Sequence, residues 1–169
     1  MSEFLEKVKK TRDYLDYVEE HYLNVQQAWL EVQEKCKDMR IVSGDYYFTL
    51  LDKEIEEHDL SKLSVDEFVQ YREAFFKTET ELRICLTHAW ECHKKYNLHH
   101  WENWATKSFS DHNEWEVHCA HMVIDWVAMG YKFGDNAKTF YEKNKDEILL
   151  PEYAIAFMYE IFNRVYKSI

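Results

Sequence analysis

The sequence predicts an all-helical protein. Only three glycines and one proline occur among 169 residues, so the chain is poor in the residues that turns between short strands require. Apolar residues make up 46% of the chain and aromatic residues 17%, which is enough to fill the core of one domain of this length. We therefore expect a single domain over residues 1–169, built as a compact bundle of several helices around a central site.

The first of these helices is predicted over residues 3–39. Its inward positions recur at steps of three and four residues, which is the spacing of one helix face. They are Val18, His21, Val25, Trp29, Val32 and Cys36. His21 is the titratable member of this otherwise apolar stripe.

Three further helices are expected before residue 98. The second ends at the adjacent pair His58 and Asp59. Ser64 and Glu67 have the spacing of a capping box, which predicts the start of the third helix. The fourth begins at Thr78 or Thr80, and one of its faces carries Leu82, Cys85, Leu86, Ala89, His93 and Tyr96.

The C-terminal half contains a histidine- and tryptophan-rich segment, residues 99–104, which is predicted to be a loop or a helical turn. Asp111 and Glu114 offer a capping box for a fifth helix ending near Gly130 or Gly134. The inward face of that helix includes Trp115, His118, Met122, Asp125 or Trp126, and Met129. Two more helices are expected over residues 136–148 and 151–166, with Pro151 at a first helical position.

Charge and composition exclude several classes of function. A net charge of -11 disfavours binding to duplex nucleic acid, because the phosphate backbone would be repelled. No apolar run approaches the roughly 20 residues that span a bilayer. The four cysteines form no CxxC pair and the N-terminus resembles no signal peptide, so we expect reduced, mostly buried thiols in a cytoplasmic protein.

A buried divalent metal ion is the chemistry that the titratable residues favour. An inward histidine costs free energy unless its ring nitrogens are paired or ligated. Alone, His21 would be interpreted as a hydrogen-bonded core residue and Asp125 as a buried carboxylate paired with Lys, Arg or Tyr. The order His21, then His58 and Asp59, then Asp125 across three predicted helices instead favours a site of two imidazoles and two carboxylates.

That order resembles the metal signature of the HD superfamily of all-helical, metal-dependent phosphohydrolases. The segment from His58 to Lys62 is similar to the HDxGK form of cyclic-dinucleotide phosphodiesterases and myo-inositol oxygenase relatives, with Ser61 in place of glycine. The resemblance implies catalytic roles for Asp59, Lys62 and Asp125, with Lys62 binding the substrate. It also implies one or two ions, drawn from Mn, Co, Ni, Zn, Mg or Fe.

A closer likeness is to an uncharacterised bacterial and phage family that combines HDxSK, an HHxxxW-like segment and Asp-Trp-x-Ala-Met. The matching stretches here are residues 58–62, 93–104 and 125–129. This likeness covers most of the chain and supports the fold and the site rather than a substrate. At the position where that family is expected to have glutamate, this chain has His121.

Further histidines would allow a second metal ion. His93, His99, His100 and His121 are the candidate additional ligands, and His118 is an alternative to His121 that could instead orient Asp125. One of His99 and His100 is expected to cap or pack, and His88 and His112 are expected to be exposed. Glu54, Glu56 and Glu57 are interpreted as a solvated face, with Glu57 a candidate for supporting the His-Asp pair.

The predicted function is hydrolysis of a small phosphate ester, for which the family resemblance favours a nucleotide. Two alternatives remain open: a di-iron oxygenase resembling myo-inositol oxygenase, and a non-catalytic interaction protein that retains a structural metal. A homodimer would be consistent with an apolar outer helix face.

Overall fold

The computed structural model describes residues 2–44, 46–74, 79–107 and 113–167, and for residues 79–86 it describes the backbone alone. Every regular element within these residues is helical. The predicted all-α class is therefore confirmed.

The described residues form eight α-helices and two short 3₁₀ segments, Arg40–Val42 and Leu60–Leu63. The helices are α1 Glu3–Lys35, α2 Tyr46–Glu56, α3 Phe68–Ala74, α4 Glu79–Tyr96, α5 Trp101–Trp104, α6 Glu114–Phe133, α7 Ala137–Asn144 and α8 Glu152–Val165. None of these helices combines the length and the apolar character that a membrane span requires.

The chain divides into two compact units. The first unit consists of Met1–Tyr22 and Asp59–Asn97. In it, α3 packs against α4, and the 3₁₀ segment Leu60–Leu63 contacts both helices. This segment follows Asp59 directly, so the packing of α3 and α4 determines where the backbone after Asp59 runs.

The second unit consists of Leu23–His58 and Leu98–Ile169. Its central element is α6, which packs against α2, α5, α7 and α8. All eight residues of the stretch 117–124 are buried, so this part of α6 has no solvent-facing side, as expected of a helix in the middle of a core. Two of those buried residues are histidines, His118 and His121.

The apolar stripe predicted on α1 is confirmed except at Val18, which is only half-buried, and the helix ends at Lys35 rather than at residue 39. Val25, Trp29 and Val32 are buried in the core of the second unit, and Trp29 Nε1 donates a hydrogen bond to Asp52 Oδ1 at 2.8 Å. His21 is 4% exposed. The three- and four-residue periodicity thus identified the inward face correctly, including its histidine.

The ends of α7 and α8 lie within one residue of the predicted positions, except that α7 ends at Asn144 rather than at residue 148. Gly134 follows α6 with a φ of +72°, the left-handed conformation that glycine adopts without steric cost at a helix end. Pro151 is the N-cap of α8, whereas it was predicted to be the first residue of the helix. Asn136 caps α7 by accepting a hydrogen bond from Thr139 N at 2.8 Å.

The predicted capping box at α3 is wrong. Ser64 accepts the Phe68 amide through its backbone oxygen at 2.9 Å, whereas the Glu67 side chain is fully buried and lies 2.9 Å from His93 Nδ1. Glu67 therefore pairs with a buried imidazole instead of capping the helix. The other predicted box includes Asp111, which lies outside the described residues.

The predicted inward face of α4 is partly corrected. Ala89 and His93 are buried, but Tyr96 is 54% exposed, and Asn97 is buried in its place. Asn97 Nδ2 donates to the backbone oxygen of His93 at 2.8 Å, which ends the helix with a polar contact rather than an aromatic one. The side chains of Leu82, Cys85 and Leu86 lie outside the described part.

The burial of the cysteine side chains should slow their reaction with alkylating reagents. Burial raises the pKa of Cys36 to about 11 and also raises the pKa of Cys119, whereas Cys92 is half-buried. Since the thiolate is the nucleophile, we expect alkylation of Cys36 by iodoacetamide at pH 8 to be about 100-fold slower in the folded protein than in urea. Peptide mapping would measure this, and equal rates in both conditions would contradict the burial.

Candidate metal centre

The pair His58 and Asp59 lies just beyond the end of α2. Asp59 has a φ of 55° and is the one non-glycine residue with positive φ in the described part of the chain. This left-handed conformation is less unfavourable for aspartate than for most residues, yet it costs on the order of 1–3 kcal/mol and is common at functional sites. His58 is the last residue of the segment Leu23–His58 in the second unit, and Asp59 is the first residue of the segment Asp59–Asn97 in the first unit.

In the first unit, Asp59 is surrounded by nitrogen atoms of three side chains. Its Oδ2 lies 2.6 Å from Lys62 Nζ and 3.4 Å from His21 Nε2. Its Oδ1 lies 3.2 Å from His93 Nε2. All four residues are buried, so a carboxylate that would be costly to bury alone is neutralised by its neighbours.

His93 links Asp59 to a second buried carboxylate. Its Nδ1 lies 2.9 Å from Glu67 Oε2, and its Nε2 faces Asp59. Burial by itself would lower the pKa of His93, but the charge and hydrogen bond of Asp59, together with the hydrogen bond of Glu67, outweigh it and raise the pKa to about 9. Without a metal ion, His93 is therefore an imidazolium at neutral pH.

Lys62 is held in place by aromatic residues of α1. Tyr14 donates its hydroxyl to the backbone oxygen of Lys62 at 2.9 Å, and the Lys62 ammonium lies 5.6 Å from the centre of the Tyr17 ring. Lys62 is only 8% exposed, so its charge is little screened by water. A buried ammonium in this position is suited to binding an anionic oxygen.

In the second unit, His58, His99 and His121 form a cluster of buried imidazoles. Each offers a ring nitrogen within 4.8 Å of a nitrogen on the other two, a spacing that could hold a metal ion. The ring centres of His58 and His99 are 4.7 Å apart, and those of His99 and His121 are 4.5 Å apart. His58 Nδ1 lies 2.8 Å from His121 Nε2.

Asp125 and His100 lie at the edges of this cluster. The Asp125 Oδ1 atom is 3.8 Å from His58 Nε2, with the carboxyl side chain 14% exposed. His100 is half-buried at the N-cap of α5 without a capping hydrogen bond from its side chain, and its ring centre is 4.3 Å from that of His99. His99 is therefore the more deeply buried of the two consecutive histidines.

Glu54 corrects the interpretation of the acidic segment in α2. Its Oε1 lies 3.3 Å from His118 Nδ1 and its Oε2 lies 3.3 Å from His121 Nδ1, so it faces the core rather than solvent. Burial would raise the pKa of Glu54, but the hydrogen bonds from His118 and His121 outweigh burial and lower the pKa to about 2. Glu57, the residue proposed to support the pair, is exposed and lies 3.9 Å from Lys53.

One known family matches a stretch of the chain that includes every residue of the candidate site. A family model described as "Family of unknown function (DUF5662)" matches residues 10–164. The chain belongs to the DUF5662 family. No curated protein and no solved structure matches the chain.

The predicted ligands of the DUF5662 chain separate into two sets. The first unit brings together His21, Asp59, Lys62 and His93, and the second unit brings together His58, His99, His100, His121 and Asp125. Glu54 and Glu67 were not predicted as site residues. The available signal for Glu54 was its position four residues before His58, which places it one helical turn away if the helix continues.

Proposed function

We propose that this DUF5662 protein is a metal-dependent phosphohydrolase that acts on a nucleotide or a related phosphate ester. The observation that carries the proposal is that two consecutive residues, His58 and Asp59, each belong to a buried cluster of imidazoles and carboxylates. The same pair is the central element of the HD signature that the sequence resembles.

The donor atoms fit a transition-metal ion. Imidazole nitrogen together with carboxylate oxygen suits Mn, Fe, Co, Ni or Zn, whereas Mg prefers oxygen ligands. The residues that would hold metal are His58, His99 and Asp125 in the second unit, and His21, Asp59 and His93 in the first. A bound ion would supply Lewis-acid chemistry to the phosphate ester and make water a better nucleophile.

Lys62 would bind the substrate. Its ammonium is buried and is paired with Asp59 at 2.6 Å. In a buried setting a lysine charge stabilises the negative charge that develops on phosphoryl oxygens more strongly than it would in water. Asp125, with its half-buried carboxylate, would accept the proton of the attacking water.

A substrate panel tests the reaction class. Phosphate release from nucleoside mono-, di- and triphosphates would be measured with Mn, Co, Ni, Zn or Fe added, in parallel with oxygen consumption in the presence of iron and a polyol such as inositol. We expect metal-stimulated phosphate release. Iron-dependent oxygen consumption without phosphate release would instead support an oxygenase, and turnover in neither assay would support a non-catalytic protein.

Replacing Lys62 with alanine should separate substrate binding from metal binding. We expect kcat/KM for phosphate release to fall about 100-fold, because one preorganised donor to the developing charge is lost, while the metal content stays at the wild-type value. Lys53→Ala is the matched control, since the Lys53 side chain is 67% exposed. Kinetics in Lys62→Ala equal to those of Lys53→Ala would remove Lys62 from the site.

A further inference from the structure

Four side chains of the second unit, Glu54, His121, His58 and Asp125, form a line of polar contacts. Glu54 Oε2 lies 3.3 Å from His121 Nδ1. On the other side of the ring, His121 Nε2 lies 2.8 Å from His58 Nδ1. The remaining nitrogen of His58, Nε2, lies 3.8 Å from Asp125 Oδ1.

The carboxylate of Glu54, at one end of this line, determines which ring nitrogens of His121 and His58 carry protons. An ionised carboxylate can only accept hydrogen bonds, and a neutral imidazole carries one N–H and one lone pair. If Glu54 accepts from His121 Nδ1, then His121 Nε2 bears the lone pair. That lone pair must accept from His58 Nδ1, which leaves the lone pair of His58 on Nε2, the nitrogen nearest to Asp125.

We propose that Glu54 and His121 are positioning residues that set the tautomer and orientation of His58, so that His58 Nε2 is the metal-binding atom. This inference rests on the proposed metal centre and refines it. Both nitrogens of His121 are engaged by the protein, so His121 supports a ligand rather than serving as one. In this proposal His121 is not the ligand that the sequence predicted but the residue that orients the ligand His58.

His118 explains how Glu54 is held. It lies one helical turn before His121 on α6, and its Nδ1 is 3.3 Å from the other carboxylate oxygen of Glu54. Two imidazoles of α6 therefore contact the single carboxylate that Glu54 contributes from α2. Partners of this kind commonly orient metal-binding histidines, and their removal typically weakens metal binding about 10- to 100-fold.

Glu54→Gln is the sharpest test of this line. Glutamine keeps the size of the side chain, but its amide can also donate, so the direction of every hydrogen bond in the line can reverse. In the reversed state His58 Nε2 carries a proton and cannot bind a cation. Glu56→Gln is the matched control, because Glu56 lies on the same helix and is exposed.

The experiment is titration with Co(II), monitored by its visible absorption bands, which depend on the ligands and their geometry. We expect the dissociation constant to rise about 10- to 100-fold in Glu54→Gln, with altered bands for the bound ion, and wild-type behaviour in Glu56→Gln. Wild-type affinity and bands in Glu54→Gln would overturn the inference while leaving the metal centre intact. No Co(II) binding by the wild type would instead overturn the proposed function.

A measurement on the wild-type protein covers the case in which the Glu54 variant does not fold. Histidine tautomers can be assigned from long-range ¹H–¹⁵N correlation spectra of the metal-free protein. We expect both His121 and His58 to be protonated on Nδ1. A proton on Nε2 of either ring, as the neutral tautomer, would contradict the proposed line.

Discussion

Replacement of Asp59 by asparagine is expected to reduce metal-stimulated phosphate release by more than about 100-fold. Removing an outer partner of a metal ligand already costs about 10- to 100-fold, and Asp59 is the carboxylate that His21, Lys62 and His93 all approach. Asparagine tolerates the left-handed backbone that Asp59 adopts. The loss would therefore be caused by the missing charge, and phosphate-release kinetics would measure it.

Two further variants define what the Asp59 result means. Asp59→Gly also removes the carboxylate but relieves the backbone at a φ of 55°, so a comparable loss of activity in both variants would assign the effect to the carboxylate. Asp146→Asn changes the same charge at an exposed position and should behave as the wild type. Full activity in Asp59→Asn would exclude this residue from the reaction.

Glu67→Ala is expected to lower the free energy of unfolding by about 3–5 kcal/mol, which is the usual cost of removing one partner from a buried ion pair. Glu67 is fully buried, and its partner His93 carries a pKa of about 9. The variant would leave an imidazolium facing a cavity at neutral pH. Urea denaturation of the metal-free protein would measure the change.

The neighbouring residue provides the control for Glu67. Asp66 is exposed, so Asp66→Ala should stay within about 0.5 kcal/mol of the wild type. Glu67→Gln should fall between the two, because the amide oxygen can still accept a hydrogen bond from His93 without neutralising it. A stability of Glu67→Ala equal to that of Asp66→Ala would show that the contact contributes nothing to folding.

The elements that depend on local periodicity were predictable from the sequence. The buried stripe of α1 was read directly from three- and four-residue steps, and it placed His21 on the inward side. The end of α6 was predicted near Gly130 or Gly134 from the preference of glycine for the left-handed conformation that terminates helices, and Gly134 is the residue that follows the helix. In both cases the determining interactions lie within a few residues along the chain.

The two acidic residues that the sequence misassigned have partners far away in the chain. Glu67 has the spacing of a helix cap, yet it pairs with His93, 26 residues later. Glu54 lies in an acidic segment typical of a solvated face, yet it pairs with His121, 67 residues later. Local spacing carries no information about such partners, and a carboxylate turns inward only where a distant imidazole compensates its burial.

The positive φ of Asp59 could not be predicted from the sequence either. A glycine at this position would have indicated a left-handed residue, but aspartate is compatible with several conformations. The resemblance to the HD signature predicts that Asp59 is a ligand, but it carries no information about the backbone conformation of this residue. The strain is maintained by the surrounding contacts with Lys62 and His93.

The most direct test of the proposed metal centre is to compare the metal content of the wild-type protein with that of His58→Ala. Both would be purified without chelator or an affinity-tag metal, equilibrated by dialysis against Mn, Co, Ni, Zn or Fe, and analysed for metals by mass spectrometry. We expect about one or two ions per wild-type chain and a clear loss of metal in His58→Ala, with the helical circular dichroism of the variant unchanged. Equal metal content in the two proteins, or no metal in either, would contradict this proposal.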